Sequence, residues 1–234
     1  QKSNIRAQQF NTAASRKWLA ETTEKRTKDY ARYGIIHQQL CDEPQFVGRG
    51  STWELDAHPE NIAAYRQYME KKYGDIDYYN KRHQTSHASF ADLDQALIKD
   101  ARASGKYAEF IEWRNFNVNR WCEAIKLVSD HTRTIDPDTK FALMNSFGQG
   151  ALDANDYWKL LTKAGLDMSV EYTSMVYLDK RAIYNFDEFY RSFAPEMKVW
   201  GFTGYFFNRP RATFMPWWFA AHRYGGFCWF AAYS

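Results

Sequence analysis

Cysteine is scarce in this 234-residue chain: Cys41, Cys122 and Cys228 are the three, and none lies in a Cys-x-x-Cys pair. An odd count at that spacing argues against a disulfide framework and against a cysteine-rich zinc site. Cys41 and Cys228 sit in apolar runs and read as buried thiols. No apolar stretch reaches the ~20 residues of a membrane span. No signal peptide is visible, but the chain opens on Gln rather than Met, so compartment stays open: extracellular, periplasmic and cytoplasmic all fit. The net charge is only +3, and no Lys/Arg run is dense enough to follow a phosphate backbone, so no nucleic-acid partner is expected. There is no Gly-x-Ser-x-Gly elbow, no P-loop and no Gly-x-Gly-x-x-Gly turn. None of the six histidines stands in a His-Glu-x-x-His or other metal spacing, so neither a metal nor an organic cofactor is expected.

What the chain has is aromatic side chains and an alternating pattern. Hydrophobic residues make up 45%, which with the length predicts one globular domain over residues 1–234. Nine Trp, sixteen Tyr and seventeen Phe fit two readings, a large aromatic core or a cleft lined with flat rings that suit the apolar faces of sugars. The pattern predicts a helix over 12–33, capped by Asn11 or Thr12. A strand follows over 34–41, stopped by Asp42-Glu43-Pro44. Pro59 opens a helix that Gly74 closes after Tyr73. Residues 75–105 read as polar and irregular, with a short helix near 90–99. Further helices are expected at 107–133, 153–163, 187–193 and 214–224, and strands at 141–144, 166–171, 198–203 and 226–232.

Helix and strand alternate throughout, which indicates a parallel sheet with crossover helices. Five strands are visible where a closed barrel needs eight. Either the sheet is smaller and open, or three N-terminal β/α units are absent. His37 falls inside the first strand and reads as a core or supporting histidine. Parallel α/β folds gather reactive groups at the C-terminal ends of their strands. Those ends carry Asp42 and Glu43, then Asn145, then Glu171 and Tyr172, then Thr203 and Tyr205. Two carboxylates on one rim, with aromatic and amide neighbours, are what glycoside hydrolysis uses: one protonates the leaving oxygen, the other attacks or activates water. Each carboxylate alone also reads as a cap or an ion-pair partner.

Several segments together resemble glycoside hydrolase family 42 and its β-galactosidase-like relatives. Tyr33-Gly34 leading to Leu40-Cys41-Asp42-Glu43 resembles the family's fourth strand, which ends in an Asp-Glu or Asn-Glu pair. The stretch PENIAAYRQYMEKKYGDIDYYN, from Pro59 to Asn80, is similar to a characteristic family helix. KRHQTSHASFADL stands where relatives carry a Trp-Gly-Thr segment. FMPWWFAAHRYGGFCWFAAY, ending at Tyr233, resembles the last helix and eighth strand. The resemblance implies a (β/α)₈ (TIM) barrel running from the third helix to the eighth strand, without the first three β/α units. It also implies a glycosidase active on β-linked sugars, a carbohydrate ligand, and Glu43 as general acid/base. It leaves a homo-oligomer open.

One departure stands out. The family's nucleophile is a Glu at the end of strand seven, and here Lys198-Val199-Trp200-Gly201-Phe202-Thr203 holds no carboxylate. Thr203 falls nearest the expected place, and Glu171 is the closest alternative partner for Glu43. Asp42, Trp53, Asn145, Tyr172, Trp200, Thr203, Tyr205 and Trp229 are expected to meet the sugar. Two further readings stay open: a barrel that binds sugars without cleaving them, and a structural or assembly component.

Overall fold

The computed structural model describes residues 12–34, 36–39, 57–145, 156–172, 188–203 and 209–229. Contacts divide the chain into two units. The first comprises residues 1–22, 45–124 and 150–156; the second comprises 23–44, 125–149 and 157–234.

The first unit is helical. Helix α1 (Ala13–Tyr30) starts here, its first turn capped by Thr12, whose Oγ1 accepts from the Ser15 N–H at 3.1 Å. Helix α2 spans Pro59–Tyr73, as Pro59 at its first turn and Gly74 at its end predict. Helices α3 (Ile76–His83) and α4 (Ile98–Ser104) follow, then the start of the long α5 (Ala108–Ile135). The reading of residues 75–105 as irregular with a helix near 90–99 needs correcting. The reason is compositional: α3 buries only Tyr79 and His83, one turn apart, and shows no apolar stripe. Its start is fixed by Asp75, whose Oδ1 accepts from the Asp77 N–H at 3.0 Å. The core gathers Tyr65, Met69, Tyr79, Leu93, Trp113 and Phe116. Tyr65 meets Trp113 edge-on, with ring centroids 5.0 Å apart.

The second unit holds a five-stranded parallel sheet in the order β1 (His37–Gln39), β2 (Lys140–Asn145), β3 (Met168–Tyr172), β4 (Lys198–Thr203), β5 (Gly226–Trp229). Helices α6 (Tyr157–Lys163), α7 (residues 188–193) and α8 (Arg209–Ala221) alternate with the later strands. Gly34, at φ +66, ends the turn after α1, so the first strand begins later than residue 34. Helix α8 begins five residues before the expected Phe214. The helix carries Pro216 in its interior. It stops at Ala221, where Arg223 takes φ +59.

The two faces of the sheet differ. One packs Ala142, Met168 and Val170 with Trp200, Phe202 and Cys228. The other meets α8, where Met215, Trp218 and Phe219 pack with Phe227. His37 of β1 touches Trp200 of β4, ring centroids 5.1 Å apart. Three strand spacings in a flat sheet would part them by ~14 Å, so the sheet curls toward this face. It is the concave side, and the α8 side is convex.

Candidate functional site at the strand ends

Register aligns the C-terminal ends of the strands. Asn145 is level with Glu171, and Glu171 with Gly201. Tyr172 is level with Phe202, Phe202 with Cys228, and Thr203 with Trp229. Asn145, Glu171, Tyr172, Thr203 and Trp229 therefore stand on one rim. Asp42, Glu43, Trp53 and Tyr205 lie outside the described residues.

Alternation sorts the strand residues by face. Trp200 shares the parity of Met168, Val170 and Phe202, on the concave face. Ser169, Gly201 and Phe227 share the other parity, on the convex face. This division follows from a two-residue period, yet it needed the packing to say which face is which.

Trp200 is set by its neighbours. Its indole lies against Gly225 and Gly226, where an added Cβ on Gly226 would stand 2.8 Å from the ring. Its Nε1 has no partner among the described residues. His37, read from sequence as a core or supporting histidine, shares the concave face. Its Nε2 stands 3.2 Å from Gln39 Nε2, and burial holds its pKa below the ordinary 6.5, favouring the neutral ring. Cys228 is a free thiol pushed up to about 11 by burial, which makes it a poor nucleophile near neutrality.

Carboxylates of the first unit are engaged in the fold. Glu112 accepts from Lys72 Nζ at 2.6 Å and from the Tyr73 hydroxyl at 2.6 Å. Glu109 accepts from the Tyr79 hydroxyl at 3.0 Å and lies 2.8 Å from His87 Nε2. Among the described residues no group of three or more His, Cys, Asp or Glu is placed to hold a metal ion. No helix among them is long and apolar enough to cross a membrane.

No protein-family model matches the chain, and no curated protein matches it. Solved structures do. The β-galactosidase of the Antarctic haloarchaeon Halorubrum lacusprofundi matches at TM-score 0.72 and 19% identity, over 94% of this chain and 36% of that one. A family 42 β-galactosidase from G. stearothermophilus, solved as a catalytic mutant, matches at TM-score 0.75 and 13% identity, over 95% and 35%. The catalytic domain of a Paenibacillus polymyxa β-amylase matches at TM-score 0.69 and 14% identity, over 93% and 62%. The chain thus spans about a third of the β-galactosidases it matches. Its fold is α/β, that of part of a (β/α)₈ barrel, and the resemblance drawn from its motifs is matched by solved structures of β-galactosidases and other glycoside hydrolases.

Proposed function

We propose that residues 1–234 form the third-helix-to-eighth-strand portion of a glycoside hydrolase barrel acting on β-linked sugars such as β-galactosides. The observation that carries this is the parallel sheet whose strand ends share one rim, in a fold matched by β-galactosidases. Glu43, four residues beyond β1, serves as general acid/base. A raised pKa would keep it protonated near neutrality, a role to which its apolar sequence neighbours Pro44, Phe46 and Val47 are suited.

Glu171 is the partner carboxylate in this reading. Strands β1 and β3 are two spacings apart, ~10 Å in a flat sheet. That is wider than the ~5–5.5 Å of direct attack, which leaves inversion through a water conceivable for this pair. Asp42, Trp53, Asn145, Tyr172, Trp200, Thr203, Tyr205 and Trp229 contact the sugar.

Release of nitrophenol from a panel of aryl β-glycosides tests the assignment. A Glu43→Gln variant of the full-length protein is expected to lose ~10²-fold or more in turnover. Full activity in that variant would sink it.

A second reading, sugar binding without cleavage, is favoured by one specific observation. Strand β4 carries no carboxylate, and its concave positions include Trp200 and Phe202. Binding of galactosides with no turnover across the panel, in the wild-type protein, would select this reading.

A further inference from the structure

The first unit holds a cleft of about 620 Å³ with three walls. Ala63, Arg66, Gln67 and Glu70 of α2 form one, at spacings of three and four residues that keep a single helix face turned to it. The turn into α3, residues 74–76, forms the second, and residues 88–91 form the third. The volume falls within the ~300–1,000 Å³ of small-molecule sites.

The polar groups along it are of both kinds. Arg66 is an anchored donor: its Nε donates to the Leu93 carbonyl at 2.7 Å, which fixes the guanidinium. Glu70 stands one turn on, a spacing at which opposite charges readily pair. Yet neither Arg66 nor Glu70 forms an ion pair among the described residues. Asp75 offers a second carboxylate, whose Oδ1 accepts from the Asp77 N–H at 3.0 Å. Phe90 adds an apolar ring to the third wall, half buried beside Tyr79 with ring centroids 6.0 Å apart. A small cation entering here would meet Arg66, and a small anion would meet Glu70 and Asp75, so an ion of either sign faces a like charge. A hydroxyl both donates and accepts, and a pyranose carries several around a ring whose C–H faces suit an aromatic side chain.

We propose that this cleft is a saccharide-binding site separate from the strand ends, in which sugar hydroxyls donate to Glu70 and Asp75 and accept from Arg66 while an apolar sugar face lies on Phe90. The choice of a sugar as ligand rests on the glycosidase reading above; the mixed set of donors and acceptors stands without it.

Hydrogen exchange read by mass spectrometry over residues 74–76 and 88–91 of the whole chain tests it. The probes are galactobiose, cellobiose and maltose, with citrate and spermidine as controls of one sign each. At least one disaccharide at millimolar concentration is expected to slow exchange in both segments, and neither control should. In Glu70→Ala, an exposed position of α2, the concentration giving half protection should rise at least about tenfold with the circular dichroism unchanged. No protection by any of the three sugars overturns the proposal. So does protection by a control equal to that by the sugar, or protection that survives intact in Glu70→Ala. Nitrophenol release by the same preparation is scored apart: turnover without protection rejects the cleft and keeps the hydrolase reading, and protection without turnover does the reverse.

Discussion

The ring of Phe219 on α8 occupies the place that a side chain on Gly201 of β4 would need: a Cβ there would lie 2.2 Å from Phe219 Cε1. This close approach of helix to strand identifies the convex face of the sheet. Gly201→Ala is therefore expected to destabilise by ~1–3 kcal/mol through overpacking. Urea unfolding reads the loss. In the Gly201→Ala/Phe219→Ala double variant the two effects should fall short of their sum, because removing the ring removes the clash. Strict additivity would show that the contact is not the cause.

Asn61 and Asn117 are both fully buried, and Asn61 Nδ2 donates to Asn117 Oδ1 at 2.8 Å. Asn117 Nδ2 in turn donates to the Trp113 carbonyl at 2.8 Å. Asn117→Ala removes this buried acceptor and the bond to Trp113, and should cost ~1–3 kcal/mol. Asn117→Asp keeps the acceptor but loses the donor to Trp113, and buries a charge. Thermal melts of both variants should fall below wild type.

Burial pushes the Glu112 carboxyl up, but hydrogen bonds from Lys72 and Tyr73 and the Lys72 charge outweigh it and hold its pKa below the ordinary 4.5. A depressed carboxylate contributes stability that is present above its unfolded value and is lost as pH falls through the folded one. The first unit should accordingly weaken as pH drops below about 4.5. Lys72→Met leaves burial less opposed and moves the folded pKa up toward the unfolded one, so the variant, less stable at pH 7, should lose less stability on acidification than wild type. Urea midpoints measured from pH 7 to pH 3 give the comparison, and coincident curves would reject it.

His37 carries a separate acid sensitivity in the second unit. Burial lowers its pKa from 6.5, so the unfolded chain binds a proton that the folded chain does not. Stability is complete above that ordinary value and declines as pH falls toward the folded one. Comparing thermal melts from pH 8 to pH 5, a His37→Gln variant should show a flatter profile than wild type. An unchanged slope would mean that the ring is solvated.

An added Cβ on Gly226 would stand 2.8 Å from the Trp200 ring. Gly226→Ala should displace the indole, blue- or red-shifting part of the tryptophan emission and lowering the melting temperature by several degrees, as ~1–3 kcal/mol does in a chain of this size. Wild-type emission and melting would place Trp200 elsewhere.

Local signals in the chain were enough for much of the fold. Pro59 and Gly74 bracket α2 because one lacks an amide a first turn does not need and the other accepts positive φ. Lys198–Thr203 is a strand as its apolar run suggests, and helix-strand alternation led directly to a parallel sheet. Helix α3 escaped because Tyr79 and His83 are its only buried positions. What holds it is the partners of those side chains: Tyr79 stacks on His83 at 4.0 Å and donates to Glu109. Nothing within Ile76–His83 announces Glu109.

The sequence by itself determined the order of elements, the absence of known cofactor motifs and the carboxylates that follow the strands. It did so because propensity, capping and alternation are local. Tertiary structure decided which face of each strand is concave, since a two-residue period is symmetric until a neighbour breaks it. Here Phe219 against Gly201 and His37 against Trp200 break it, giving Trp200 and Phe202 the concave face and Gly201 and Phe227 the side of α8.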